Sequence, residues 1–210
     1  MDRQAHWKKI YREKPATQVS WYRPHLEASL NLIARFAVSK HKAILDIGGG
    51  ASTLVDDLLA AGYDDVSVLD IAEDALAVSR LRLGDAAQRV KWVVADFLDA
   101  ALEEDRYGLC HDRAVFHFLT GTAEQAAYFR QVARILRPEG VLVLATFAFD
   151  GPQRCSGLEV TRYDEAALKK AFGERMTLVE SHGVSHHTPA GAVQEMMYFV
   201  LRKAASPVTR

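Results

Sequence analysis

Short apolar runs alternate with longer amphipathic stretches over residues 43–149. The apolar runs are AILDI, DVSVLDI, VKWVVAD, YGLCHD and GVLVLATFAF, which begin at residues 43, 65, 90, 107 and 140. Their length and their content of valine, isoleucine and leucine predict buried strands. The stretches STLVDDLLAAG, EDALAVSRLRLG and TAEQAAYFRQVARILRPEG predict helices between them, the last opening with Thr122 and Gln125 at the spacing of a capping box. This alternation predicts right-handed βαβ units and a parallel sheet with helices on both faces.

The pattern changes after Phe149. Residues 150–163 contain glycine and proline in a polar context and predict a loop, and DEAALKKAFG predicts a helix that starts at Asp164. MTLVESHGVSHH and QEMMYFVLRK then read as two strands joined by the short turn TPAGAV. Because that turn is too short for a crossover connection, the two strands should be antiparallel.

An amphipathic helix over HLEASLNLIARFAV, residues 25–38, precedes the first strand, and an arm of residues 1–24 precedes that helix. No repeat, linker or low-complexity tract divides the chain. We therefore predict one α/β domain over residues 1–210, with its core in residues 43–203. The expected fold is a doubly wound, Rossmann-like sheet of five parallel strands that ends in an antiparallel hairpin.

Composition restricts the function. The chain has 210 residues and a net charge of −1, which argues against binding to nucleic acid or to a membrane surface. No apolar run approaches a membrane span, and the polar amino terminus lacks the apolar centre of a secretion signal. Cys110 and Cys155 are too few for a disulfide framework. These features predict a cytoplasmic protein with reduced thiols.

Three consecutive glycines, residues 48–50, follow the first predicted strand, where bare backbone lets a ligand approach closely. The dinucleotide fingerprint requires glycine at the position that Thr53 occupies here. Asp46 in the same strand favours a ligand that carries a positive charge. Asp70 and Asp96 end the next two strands. At these positions Asp70 suits hydrogen bonds from ribose hydroxyls, and Asp96 suits a hydrogen bond from an exocyclic amine.

The segments LDIGGGAS, LDIAEDAL, VVADFLD, HDRAVFHFL and LRPEGVLVLATF follow one another in an order and spacing that resembles the class I, seven-strand S-adenosylmethionine-dependent methyltransferases. The resemblance covers about residues 6 to 203 and includes the terminal hairpin. It implies S-adenosylmethionine as the cofactor. The alternative is a doubly wound fold that binds another ligand and in which Asp46, Asp70 and Asp96 are turn and cap residues.

The resemblance also implies roles for particular residues. Gly48 and Gly50, with Gly49 between them, would lie against the amino-acid portion of the cofactor, and Asp46 would anchor this loop or approach the cofactor amino group. The other residues implied at the cofactor are Asp70 at the ribose, Ile71 against adenine, Asp96 and Phe97 at the adenine edge, Trp21 near the sulfonium and Asp112 near the transferred methyl.

The arm of residues 1–24 carries Trp7, Tyr11, Trp21 and Tyr22 in a polar context. It resembles the aromatic lids of thiol, halide and thiopurine methyltransferases, since aromatic faces attract a sulfonium. A structural arm packed on the outside of the sheet is the alternative.

Three residues are candidates for catalysis, namely Asp112, His117 and His186, which we expect to face the acceptor at the carboxyl edge of the sheet. His111 should point into the sheet, and Arg113 should pair with Asp112 or with an anionic substrate. We also expect Cys155 and Gln194 to line the acceptor pocket. His186 and His187 are adjacent on a strand and face opposite sides, so we expect no metal site.

The sequence thus predicts a methyltransferase that acts on a small-molecule acceptor, with a soft, thiol-like nucleophile slightly favoured over oxygen and nitrogen. One alternative is a protein lysine methyltransferase. The other is a non-catalytic module that retains the fold as an interaction platform. The sequence does not indicate the oligomeric state.

Overall fold

The computed structural model describes residues 2–37 and 39–204. The start of the predicted arm, the last position of the helix predicted to reach Val38, and residues 205–210 lie outside the described residues. The helices are α1 Arg3–Glu13, α2 Glu27–Phe36, α3 Leu54–Ala60, α4 Glu73–Leu83, α5 Thr122–Ile135 and α6 Glu165–Phe172. The strands are β1 Ile44–Ile47, β2 Val66–Asp70, β3 Val90–Val94, β4 Tyr107–Arg113, β5 Leu136–Phe147, β6 Arg154–Cys155, β7 Leu158–Glu159, β8 Met176–His187 and β9 Val193–Lys203.

The main sheet has seven strands in the order β3-β2-β1-β4-β5-β9-β8. The five strands from β3 to β5 are parallel, whereas β9 runs antiparallel to β5 and β8 runs antiparallel to β9. The order reverses beside β1, so the carboxyl ends of β1 and β4 border the crevice where such sheets bind ligands. The predicted fold is confirmed.

Helices cover both faces of the sheet, and each face has its own core. One core contains Phe129 of α5 and Leu168 of α6, and the other contains Ile33 of α2 and Leu54 of α3. Strand residues alternate between the two cores, because successive side chains of a strand point to opposite faces. Within the described ranges, no helix has both the length and the apolar character needed to cross a membrane.

Four local features differ from the sequence predictions. The helix predicted over TAEQAAYFRQVARILRPEG ends at Ile135, and its last five residues lie in β5. The arm contains a helix, α1, capped by the Asp2 carboxylate, which accepts from the Ala5 amide. Helix α5 starts with Gly121 as its N-cap and no side-chain cap, so the predicted capping role of Thr122 is wrong. The loop after β5 contains the small β6–β7 pair. The cap predicted at Asp164 is confirmed, since its carboxylate accepts from the Ala167 amide.

Candidate active site

A cleft that is partly open to solvent lies at the carboxyl ends of the parallel strands. It has two ends and a roof. Its first end is lined by Gly48, Asp70, Ile71, Asp96 and Phe97. Its second end is lined by Arg113, Phe147, Cys155, His186, Gln194 and Met196. The roof consists of Arg3, Trp7, Tyr11, Ser20 and Trp21. We call these parts the cofactor end, the acceptor end and the roof.

The glycine loop leaves β1 with its backbone turned towards the cleft. Gly48 has a φ of +68°, and a Cβ atom there would collide with the Val115 side chain. Gly50 has a φ of +41°, in the left-handed region that side chains avoid. A Cβ on Gly49 would overlap the Asp46 carboxylate. All three positions therefore require glycine, for conformation or for space.

A buried polar network supports this loop from below. His111 Nδ1 donates to Asp46 Oδ1 over 2.7 Å, and His111 Nε2 lies 2.9 Å from Ser29 Oγ. Ser29 in turn lies 3.3 Å from the Tyr198 hydroxyl. Asp46 is thus engaged with His111 beneath Gly49 and does not line the cleft. Of the two predicted roles for Asp46, the geometry supports anchoring of the loop.

Two acids mark the cofactor end. Asp70 Oδ1 accepts from the Ala72 amide over 2.8 Å, while no described residue donates a hydrogen bond to Oδ2. Burial raises the pKa of Asp70 to about 7, and the charge of Asp46 contributes to the rise. Asp96 Oδ1 accepts from the Leu98 amide over 3.0 Å, and Asp96 Oδ2 accepts from Arg3 over 3.1 Å.

The roof over the cofactor end is helix α1, which has no buried residues. Polar contacts hold it in place. Besides its bond to Asp96, Arg3 pairs with Glu124, Gln4 donates to the Ile71 carbonyl over 3.2 Å, and Arg12 lies 2.8 Å from Asp74. Interactions of this kind at the surface are weak, so α1 is held by contacts that can open.

Aromatic rings form the central part of the roof. Trp7 meets Trp21 edge to face at 5.9 Å between centroids and meets Phe118 at 5.0 Å. Tyr11 meets Trp21 at 6.2 Å. Burial and the nearby charge of Asp70 raise the pKa of the Tyr11 hydroxyl, which stays neutral. Tyr22, the fourth aromatic of the arm, does not line the cleft.

The acceptor end carries polar groups that hold the chain between α1 and α2. His186 Nε2 donates to the Ser20 carbonyl over 2.6 Å, and Arg113 Nη1 donates to the Trp21 carbonyl over 2.9 Å. Burial, with a smaller effect of Arg113, lowers the pKa of His186. Burial raises the pKa of the Cys155 thiol, so both groups are uncharged at neutral pH.

The structure does not bring all three catalytic candidates to the cleft. Asp112 is fully buried, and its carboxylate accepts from the amides of Val115 and Phe116 and from the Tyr128 hydroxyl over 2.6 Å. Burial raises the pKa of Asp112 to about 6. Its side chain is bound to Tyr128 of α5 and does not line the cleft.

His117 is also absent from the cleft lining. Its side chain is fully buried against Phe118 and Phe147, and neither ring nitrogen has a hydrogen-bond partner among the described residues. Burial lowers the pKa of His117 to about 3. Of the three candidates, the structure places only His186 at the acceptor end.

Arg113 was expected to pair with Asp112 or with an anionic substrate, and the structure excludes the first. The two residues are adjacent on β4 and point to opposite faces of the sheet. His111 is buried on the Arg113 face, in agreement with its predicted direction. The expected positions of Cys155 and Gln194 in the acceptor end agree with the cleft lining.

Some residues of the cleft were not foreseen. Arg3 belongs to a polar segment without a pattern that would indicate a ligand-facing helix. Ser20 acts through its carbonyl, which carries no sequence signal. Tyr128 lines the cleft and donates a hydrogen bond to Asp112. Helical periodicity along α5 indicates that Tyr128 is buried, but it does not indicate the bond to Asp112.

A family model described as a methyltransferase domain matches residues 44–140, which contain the glycine loop, Asp70 and Asp96. Residues 44–140 thus match a methyltransferase domain, as expected for a class I S-adenosylmethionine-dependent methyltransferase. The family, the enzyme class and the cofactor expected from the sequence are thereby confirmed.

The names of similar proteins indicate different methyl acceptors. Human EEF1A lysine methyltransferase 2 is 23% identical over 159 residues, which cover 67% of this chain and 66% of that protein. A ubiquinone biosynthesis O-methyltransferase from Hydrogenovibrio crunogenus is 27% identical over 118 residues, which cover 56% of this chain and 47% of that protein. The chain thus spans less than two thirds of the length of these relatives. Their names leave the acceptor of this methyltransferase open.

Solved structures share the fold at low identity. A protein studied for the conversion of a disulfide bond into a thioacetal group during echinomycin biosynthesis has a TM-score of 0.78 at 18% identity, covering 95% of this chain and 92% of that one. Burkholderia thailandensis 1,6-didemethyltoxoflavin-N1-methyltransferase, solved with 1,6-didemethyltoxoflavin and S-adenosylhomocysteine, has a TM-score of 0.69 at 21% identity, covering 96% and 84%.

Proposed function

We propose that this methyltransferase transfers the methyl group of S-adenosylmethionine to a small-molecule acceptor, with a soft, thiol-like nucleophile favoured. The observation that carries the proposal is the roof of the cleft. Helix α1 and Trp21 cover the site, and the loop that contains Ser20 is tied to His186 and Arg113 at the acceptor end. A covered cleft suits a small acceptor, whereas an extended peptide needs an open groove.

The residues at the cofactor end fit the cofactor. Asp70 Oδ2 would accept from the ribose hydroxyls, and Ile71 and Phe97 would offer apolar surface to adenine. Asp96, whose oxygens accept from the Leu98 amide and from Arg3, would also accept from the adenine amine. Gly48 presents bare backbone to the amino-acid portion. When bound, the cofactor supplies a methyl group carried on a sulfonium cation, which acids and aromatic rings favour.

The protein contributes alignment and the exclusion of water. Displacement at a methyl group proceeds in line, so the acceptor end has to hold the nucleophile against the cofactor end. Trp7, Trp21 and Phe118 meet edge to face between the two ends and keep this region apolar. A thiol acceptor with a near-neutral pKa needs little more, because it ionises without a strong base.

We further propose that residues 1–24 act as a lid. Helix α1 is attached by ion pairs at the surface, each of which contributes about 0–1 kcal/mol, and by the half-buried rings of Trp7 and Tyr11. It must leave the cofactor end when cofactor enters and product leaves, since it covers Asp70 and Asp96. An attachment by weak ion pairs and a few rings, with no fully buried side chain, is suited to such repeated opening.

A matched pair of variants tests the cofactor end. Asp70→Ala should weaken binding of S-adenosylhomocysteine by ~1.5–3 kcal/mol in calorimetry, since it removes charge-assisted hydrogen bonds. Asp99→Ala removes an exposed acid on the same edge and should leave affinity unchanged. Binding of NAD in place of S-adenosylhomocysteine would contradict the proposal.

The acceptor class is tested with radiolabelled methyl donor. The protein is incubated with a panel of small thiols and, separately, with a cell lysate, and label is counted in metabolites and in protein. Label in small thiols supports the proposal. Label confined to protein would favour the lysine methyltransferase alternative, and cofactor binding without transfer to either would favour the non-catalytic module. The residue roles, the single-domain organisation and the cytoplasmic location remain predictions.

A further inference from the structure

The acceptor end contains an arginine whose charge the protein leaves without a partner. Arg113 is half-buried and donates through Nη1 to the Trp21 carbonyl, and it has no other hydrogen bond among the described residues. A guanidinium has five N–H donors, so most of them remain available. Two other half-buried arginines differ, because Arg80 pairs with Glu73 and Arg106 pairs with Asp65.

Among the described residues, no acid forms an ion pair with Arg113. Asp46 and Glu27, which line neighbouring cavities together with Arg113, pair with His111 and Arg23 instead. Asp112 points to the other face of the sheet and is satisfied by two amides and a hydroxyl. His186 and Cys155, the ionisable neighbours of Arg113 in the cleft wall, are uncharged at neutral pH. The cleft acids, Asp70 and Asp96, belong to the cofactor end.

The guanidinium also borders open space. Arg113, His186 and Met196 line both the cleft and a second cavity between α2 and β8. An acceptor that binds in the cleft can therefore reach the guanidinium with a substituent, and the second cavity leaves room for that substituent on the side that α1 does not cover.

We propose that Arg113 determines acceptor specificity by binding an anionic group, a carboxylate or its chemical equivalent, on the small molecule that is methylated. A planar guanidinium with free parallel donors matches a carboxylate in geometry as well as in charge. The carbonyl of Trp21 holds the guanidinium in position. This inference rests on the proposed function and adds the chemical class of the acceptor to it.

The test compares 4-mercaptobenzoate with its methyl ester, which keeps the thiol and the ring and removes the negative charge. Both compounds are titrated by calorimetry into protein saturated with S-adenosylhomocysteine, and both are assayed as methyl acceptors. The carboxylate should bind about 10- to 100-fold more tightly than the ester, the ratio expected from charge-assisted hydrogen bonds. The same preference should appear in kcat/KM.

Variants then assign the preference to one side chain. Arg113→Gln should reduce the carboxylate-to-ester ratio to about one, and Arg113→Lys, which keeps the charge, should retain part of it. Arg106→Gln is the matched control, because it removes a half-buried guanidinium far from the cleft and should leave the ratio unchanged. Thermal unfolding and binding of S-adenosylhomocysteine establish that each variant is folded.

Two results would overturn the inference, namely a carboxylate that binds no better than the ester to the wild-type protein, or a preference that survives in Arg113→Gln. Either result leaves the proposed function intact as long as S-adenosylhomocysteine binds. Failure of the wild-type protein to bind S-adenosylhomocysteine would instead contradict the proposed function itself.

Discussion

Lowering the pH from 8 to 6 should weaken cofactor binding about tenfold through one side chain, Asp70. Burial raises the pKa of this carboxyl to about 7 in the free protein. Ribose hydroxyls donate to the ionised form, so binding favours deprotonation and a protonated Asp70 must first lose its proton. The affinity should therefore increase as the pH rises through about 7.

The direction and the size of this pH dependence follow from the linkage between proton binding and cofactor binding. Because the pKa of Asp70 is raised in the folded protein, the protonated carboxyl stabilises the cofactor-free protein. This contribution to stability is complete below the ordinary pKa of 3.8, and it is lost as the pH rises through about 7. With a pKa of about 7, protonation divides the association constant by about 11 at pH 6 and by about 1.1 at pH 8. The ratio is about tenfold, or ~1.4 kcal/mol.

Calorimetric titration of S-adenosylhomocysteine between pH 5.5 and pH 8.5 measures this dependence. Asp70→Asn keeps the shape of the side chain and removes the titration, so its affinity should be lower and nearly flat with pH. Asp112, with a pKa of about 6, is present in both proteins and cancels in the comparison. A wild-type affinity that does not change between pH 6 and pH 8, or an unchanged slope in the variant, would refute the reasoning.

Three further predictions concern the lid and the two histidines. Deletion of residues 1–24 should abolish turnover yet leave cooperative unfolding, because the sheet begins at Ile44; full activity after deletion would show that the arm only packs. His117→Leu should raise the free energy of unfolding by ~1–3 kcal/mol in denaturant titrations, since it removes a buried imidazole without partners. Because the folded pKa of His117 is about 3, the wild-type protein should lose stability as the pH falls below about 6.5, and the variant should lose less. His186→Asn should affect mainly the acceptor KM if the acceptor is a thiol; a loss of ~10²–10⁴ in kcat, with a histidine limb missing from the pH–rate profile, would identify His186 as a base.

The fold was predictable because its signals are local and repeated. Buried parallel strands require continuous apolar runs, and the short turn between β8 and β9 permits only an antiparallel pair. The same logic places Asp70 and Asp96 at one edge of the sheet, since parallel strands end on the same side. The helical state of the arm was less evident, because α1 buries no residue and therefore lacks an apolar stripe.

The catalytic candidates show where sequence reasoning was incomplete. Alternation along β4 separates Asp112 from Arg113, and this could have been deduced from the strand prediction alone. The burial of His117 follows from the packing of the turn after β4 against Phe147, a contact between distant segments that no local pattern encodes. The bonds of His186 and Arg113 to backbone carbonyls are likewise tertiary.

The distribution of charge along the cleft gives the two reactants opposite preferences. If the proposed roles hold, Asp70 and Asp96 attract a cationic donor to the cofactor end and Arg113 attracts an anionic acceptor to the other end, so each reactant is disfavoured in the place of the other. Closure of α1 changes this balance, because Arg3 then pairs with Asp96 and offsets part of the negative charge beside the donor. We therefore expect the closed state to be stabilised by Asp96, the same acid that we propose to bind the adenine amine. Added salt should weaken this ion pair and favour the open lid, which links the rate of cofactor exchange to ionic strength.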